Sequence, residues 1–276
     1  MILVTGATGN AGGAVVRALV RSGEPVRALV RDADGGTLPA GVEAAVGDLN
    51  EPETLAPHFE GVTAAFLLSG YTGLEETLAN MRRAGVERVV LLSSSAAPTG
   101  DLTNAVARYH ILSERAVREA GLGWTFLQPN TFMTNAFQWL PQLRQSDVIR
   151  GPFPDVRVAA VDPDDIGAVA AAALTSGASE GRAYRLSGPE SLSPADRVAI
   201  LAEVLGRELR FEGQTNEEAR AEMSAAMPPE YVEAFFRFFV DGDLDESPVL
   251  PTVQEVTGRP PRSFEAWARA HADAFR

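Results

Sequence analysis

The sequence predicts an α/β protein: a Rossmann-type doubly wound parallel sheet with a smaller, mostly helical C-terminal part. Short apolar runs alternate with amphipathic stretches as far as about residue 130, the pattern of a parallel sheet covered on both faces. A glycine-rich stretch, Thr5-Gly6-Ala7-Thr8-Gly9-Asn10-Ala11-Gly12-Gly13, separates the first apolar run from the first amphipathic one. The length, 276 residues, suits one large domain or two intimate ones.

The elements follow from hydrophobic period and punctuation. Ile2–Thr5 is a short apolar strand, and the helix after the glycines carries Ala14, Val15, Ala18 and Leu19 on one face, ending near Gly23. Further strands are expected at 25–30, 42–46, 63–68, 88–92 and 124–127, with helices at 52–59, 74–84 and 103–120. Right-handed crossovers between such strands lead to a doubly wound sheet. Past about residue 130 the alternation loosens. Residues 156–161 and 182–186 read as strands with a helix at 165–176 between them, so this stretch is expected to return to the main sheet. Ser193-Pro194 opens a helix that Gly206 stops. Val232, Phe235, Phe236, Phe239 and Val240 share one helical face, and Phe238 falls off it, as a lid or dimer contact would. Ser263 caps a final helix whose Phe264, Trp267, His271 and Phe275 form a stripe that reads as core.

Composition excludes several function classes. Hydrophobic residues at 45% and charged residues at 22% describe an ordinary folded chain. A net charge of −13 argues against a nucleic-acid or anionic-membrane partner. There is no cysteine, which removes disulfides, thiolate metal sites and cysteine nucleophiles. His58, His110 and His271 are far apart and offer no metal-ligand spacing. All 24 basic residues are arginine, so no mechanism can use a lysine. With no leader and no long apolar run, the expected location is cytoplasmic, as a monomer or homodimer.

Glycines at 6, 9 and 12 between a strand and a helix are the context that gives such spacing meaning. Gly6 allows the tight turn, Gly9 lets the backbone approach a pyrophosphate, and Gly12 lets helix and strand pack closely. The helix N-terminus, with Thr8, Asn10 and Ala11 around it, supplies free N–H groups to phosphates. The second strand ends Leu29-Val30-Arg31-Asp32. Arg31 there suits a 2′-phosphate, which favours NADP(H) over NAD(H), although the neighbouring Asp32 would suit a free ribose. Asp48 and Leu49, ending the third strand, are either adenine contacts or, for Asp48, a helix cap ahead of Glu51-Pro52.

TGATGNAGG, LVRD, VGDL, LLSSS, TFLQPNTFMTN, VDPDDIGAVAAAAL, YRLSGPESLS and TGRPPRSFEAWA together resemble the NmrA-like branch of the atypical short-chain dehydrogenase/reductases over nearly the whole chain. The similarity is greatest to type 2 NAD(P)H:quinone oxidoreductases and triphenylmethane dye reductases. It implies a nicotinamide-binding domain (residues 1–150), a smaller substrate part (151–276, with about 156–187 returning to the sheet) and a cleft between them. It implies an NAD(P)H-dependent reductase, and leaves open a cofactor-sensing regulator with little or no turnover. Leu68 and Ser69, Ser93 or Ser94, and Pro129 and Asn130 are then expected at the cofactor, and Phe132, Met133, Asn135 and Phe137 on an apolar substrate wall.

Most short-chain reductases use a Tyr-x-x-x-Lys pair, in which lysine lowers the tyrosine pKa. Here Tyr109 is followed at that spacing by Ser113, and the alternative alignment puts His110 in the lysine position with Val106 in place of tyrosine. Val106, His110, Ser113 and Val117 share a helical stripe expected to face the sheet near Ser93–Ser95. The candidate catalytic residues are therefore His110, Tyr109 and Ser94, with a packed structural role for His110 equally open. Without the pair, hydride transfer from NADPH to a quinone or another conjugated planar acceptor fits better than reduction of a simple ketone.

Overall fold

The computed structural model describes residues 1–32 and 38–276. In chain order its strands are β1 (Ile2–Val4), β2 (Val26–Val30), β3 (Glu43–Val46), β4 (Ala64–Leu68), β5 (Arg88–Leu92), β6 (Gly123–Pro129), β7 (Val148–Gly151), β8 (Arg182–Leu186) and β9 (Arg210–Gly213). The helices are α1 (Asn10–Arg21), α2 (Pro52–Leu55), α3 (Leu74–Arg83), α4 (Ala105–Glu119), α5 (Leu140–Leu143), α6 (Pro163–Thr175), α7 (Pro194–Leu205), α8 (Asn216–Ala226), α9 (Pro229–Phe239), α10 (Thr252–Thr257) and α11 (Phe264–Ala270).

Seven strands form one parallel sheet in the order β3-β2-β1-β4-β5-β6-β8. The chain runs outward from β1 to β3, then restarts on the other side at β4. The crevice therefore opens beyond the C-terminal ends of β1 and β4, where ligands bind in open α/β sheets. Period-two alternation divides the core between the faces. Ile2, Val4, Val26, Phe66 and Leu186 pack under α1, α6 and α10, whereas Leu3, Leu29, Leu67, Val89 and Phe126 pack under α2, α3 and α4. A third core, built on Trp139, Ile149, Val198, Leu201, Phe264 and Trp267, gathers residues from both sides of the expected boundary at 150.

The structure departs from the sequence reading in four places. Residues 156–161 form no strand. Val158 to Val161 are buried, which makes the run apolar, but they pair only through isolated bridges to Leu192 and Phe132. The parallel pair β7–β9 was not anticipated, since each strand is four residues long and carries few apolar residues. The 52–59 helix divides after Leu55 into a 3₁₀ turn containing Pro57. Phe238 is not exposed as a dimer contact would be: it is buried with Ala96 and Ala107 and lines the cavity at the strand ends, while Val240 from the expected core face is exposed.

Candidate active site

The site is built from the ends of β1, β2, β4, β5 and β6. Gly6 holds φ at +60°, which favours glycine. A Cβ on Gly12 would lie 2.2 Å from the Gly6 carbonyl oxygen and 2.7 Å from that of Thr5, so only glycine lets α1 pack onto the loop. Thr8, Gly9 and Asn10 are exposed, and the first turn of α1 carries no acidic side chain. Its first N–H groups lack intrahelical partners and point outward with the positive end of the helix dipole. The loop thus fits a pyrophosphate: open, rich in donors and bare of side chains that would fill it.

Arg31 and Asp32 are both exposed at the end of β2, just before the stretch outside the described residues. The Asp48 carboxylate accepts the Asn50 N–H at 2.8 Å, the turn-capping arrangement, and Leu49 packs against the core beside α3. Arg31 and Asp48 both act on the half-buried Tyr71, whose phenol is raised chiefly by burial, further by Asp48, and lowered by Arg31.

The ends of β4, β5 and β6 line a cavity of about 370 Å³ that gathers Leu68, Ser69, Ser93, Ser94, Tyr109, His110, Pro129, Asn130, Phe132 and Asn135. Ser93 is buried and donates to Glu114 Oε1 at 2.6 Å. The same carboxylate accepts from Gln128 at 2.7 Å and from Arg118 at 3.1 Å, so this buried charge is fully provided with donors. Ser69 donates to the Leu92 carbonyl at 2.7 Å, and Ser94 Oγ accepts the Ala96 N–H at 3.1 Å. Asn130 donates to the Glu246 carbonyl at 3.0 Å, and its buried Oδ1 has no partner among the described residues.

Ser113, at the lysine position of the Tyr-x-x-x-Lys pair, serves the backbone instead. It accepts the Gly70 N–H at 3.1 Å and donates to the Tyr109 carbonyl at 2.8 Å. The rings of Tyr109 and His110 lie 4.1 Å apart. Burial raises the Tyr109 phenol, aided by Tyr231, and pushes the His110 imidazole down to about 4. His110 is therefore neutral at pH 7, and its buried Nδ1 has no partner among the described residues. The pair offers weak, uncharged donors rather than a strong acid.

The expected substrate wall divides. Phe132 and Asn135 face the cavity, but Met133 is buried in the third core, because the 3₁₀ helix Met133–Trp139 turns it inward. Phe137 leads elsewhere, stacking on Phe275 and lying near Trp267 beside the glycine loop. Residues not expected from the sequence line the neighbouring space. A second cavity of about 430 Å³ shares Thr131, Asn135, Phe235 and Phe239 with the first and adds Trp139, Phe153, Arg197, Phe211 and Met223. Glu246 was also missed. Its buried carboxylate accepts from Ser95 Oγ and Thr131 Oγ1, both at 2.6 Å, and fixes the C-terminal segment to the ends of β5 and β6. Nothing local in the sequence marks Glu246, whereas Arg197 could have been noticed one helical turn before Leu201 on a buried face.

Residues 1–257 match the model of the NmrA-like family. The chain belongs to that family. This NmrA-like protein is 41% identical over 280 residues to the (4-alkanoyl-5-oxo-2,5-dihydrofuran-3-yl)methyl phosphate reductase of Streptomyces griseus, covering 100% of this chain and 99% of the relative. It is 38% identical over 288 residues to the NAD(P)H azoreductase of Xenophilus azovorans, with the same coverage. Among solved structures, Citrobacter sp. triphenylmethane reductase complexed with NADP(H) superposes with a TM-score of 0.78 at 25% identity, over 99% of this chain and 100% of the other. An Escherichia coli NADPH-dependent quinone oxidoreductase complexed with NADPH gives 0.81 at 21% identity over 99% and 100%, a likeness of fold. No helix among the described residues is long and apolar enough to cross a membrane.

Proposed function

We propose that this chain, an NAD(P)H-dependent reductase like its full-length relatives, prefers NADPH and reduces a quinone or another conjugated, planar carbonyl-type acceptor. Gly6, Thr8, Gly9, Asn10, Ala11 and Gly12 would hold the pyrophosphate, and Arg31 the 2′-phosphate. Asp48 and Leu49 lie toward the adenine end, and Leu68, Ser69, Ser93, Pro129 and Asn130 toward the nicotinamide end. When bound, the reduced cofactor supplies the hydride.

The observation that carries the choice of acceptor is that the described residues at the Tyr-x-x-x-Lys positions offer no strong acid at the strand ends. Ser113 is committed to backbone, Tyr109 is raised, and His110 is neutral. A simple ketone gains a localised alkoxide charge and needs a proton at once; a conjugated acceptor spreads that charge, so a weak donor or water suffices. Ser94, Tyr109 and His110 then position the acceptor and donate hydrogen bonds. Phe132, Phe235 and Phe239 provide the apolar faces that a flat ring system stacks on. The Streptomyces relative's named substrate, an unsaturated lactone, is of the same conjugated kind, as is the azo bond of the Xenophilus enzyme's substrates. Steady-state oxidation of NADPH and NADH with a naphthoquinone, an azo dye and cyclohexanone tests the proposal. Turnover of the first two and not the third, faster with NADPH, is expected; preferential turnover of cyclohexanone would overturn it.

A further inference from the structure

The cavity beyond Asn135 holds a charge the proposed chemistry does not use. Arg197 projects from α7 into the 430 Å³ cavity among Trp139, Val156, Val158, Phe211 and Phe235. Its guanidinium lies 5.9 Å from the Trp139 ring centre, makes no ion pair among the described residues, and has a buried Nε with no hydrogen-bond partner. The neighbouring carboxylates are engaged elsewhere. Asp196 pairs with Arg157 at 3.0 Å and caps α7 through the Ser193 N–H at 2.9 Å. Glu246 is satisfied by Ser95 and Thr131, and Glu222, exposed at the cavity rim, accepts from Gln214. Burial lowers the Arg197 guanidinium to about 10 despite Glu246 and Asp196, so it remains a cation at neutral pH in a largely apolar surround.

Arg197 is half-buried, and its buried Nε with no partner costs desolvation free energy unless an anion completes the guanidinium. The two cavities share Thr131, Asn135, Phe235 and Phe239, so one ligand can extend from Ser94 and His110 to Arg197. We propose that Arg197 is an anion anchor, and that the preferred acceptor carries, away from its reducible ring, a carboxylate or phosphate ester that the guanidinium binds. This rests on the reductase reading and narrows it to acceptors that carry an anion, as the phosphate ester named for the Streptomyces relative's substrate does. Phe235 and Phe239 face the ring, and Arg197 fixes its distance and orientation.

The test uses 1,4-naphthoquinones with a short side chain ending in a hydroxyl, a carboxylate or a phosphate ester, with wild type and the Arg197→Gln, Arg197→Met and Arg197→Lys variants of the full chain. The wild type should show higher kcat/KM for the charged acceptors, mostly through KM. The charged-to-neutral ratio should fall about tenfold or more in the Gln and Met variants and be partly retained in Lys. The carboxylate and phosphate arms distinguish the two anions. A wild-type ratio of one or less, or equal losses for all three acceptors in every variant, would overturn the anchor and leave the reductase reading intact. If no acceptor turns over, the reductase reading fails, and calorimetric binding of the same compounds still reads the anchor. Weaker binding of the charged compounds by about tenfold in the Gln or Met variant supports it, and equal binding overturns it.

Discussion

His110 gives a titration that depends on where the fold places it. The imidazole, ordinarily near 6.5, is pushed down to about 4 by burial with no charged partner. The unfolded chain therefore binds a proton that the folded chain refuses between those values. Stability contributed by neutral His110 is present above about 6.5 and is lost as pH falls toward 4. At about 1.4 kcal/mol per unit, the loss amounts to about 3 kcal/mol. The perturbation is His110→Gln, which keeps a polar side chain but cannot titrate. Urea unfolding of both proteins across this interval isolates the histidine from the carboxylates, because the difference between the curves cancels what they share. Wild type should lose about 3 kcal/mol more than the variant over the window. In parallel, the His110 ring signals should show no titration near pH 6.5. Parallel stability curves, or a ring that titrates at its ordinary value, would refute the burial argument and with it the neutral-donor account of the site.

Three further outcomes follow from the same geometry. Gly12→Ala puts a methyl 2.2 Å from a backbone oxygen, so NADPH affinity by fluorescence titration should fall about tenfold or more, and unchanged affinity would contradict the cradle. Glu114→Ala leaves buried Ser93 and Gln128 without their acceptor and should destabilise by about 3 kcal/mol or more in denaturant unfolding, a near-neutral change being the contrary result. Arg31→Ala should weaken NADPH much more than NADH, and equal losses would remove the 2′-phosphate assignment.

The Rossmann half was legible because each of its signals is local. Apolar runs and the glycine spacing, like the Ser193-Pro194 cap further along the chain, are set by residues within a few positions of one another, and secondary structure answers to them. What was not legible depends on contacts across the chain. Residues 156–161 look like a strand because Val158 to Val161 are buried and apolar, and burial without a neighbouring strand gives bridges only. Met133 and Phe137 sit on a 3₁₀ helix whose period directs them away from the cavity that Phe132 and Asn135 line. Glu246 lies 115 residues from Thr131 and its hydrogen bonds to it leave no trace in local sequence. The 430 Å³ cavity is assembled from such distant meetings, Arg197 of α7, Met223 of α8 and Phe235 of α9 lining it with Thr131 and Asn135, whereas the glycine loop is one continuous stretch.

The central claim is that hydride leaves a bound nicotinamide for a conjugated acceptor beside Ser94 and His110. Its most direct test is a single turnover: protein saturated with NADPH is mixed with excess 1,4-naphthoquinone, and the absorbance of the reduced nicotinamide is followed. Loss of one equivalent of NADPH per site, absent when the quinone is omitted and slower with NADH, is the result expected here. Full occupancy by NADPH with no oxidation by this or any other conjugated acceptor would contradict it, and would describe a protein that senses the cofactor without consuming it.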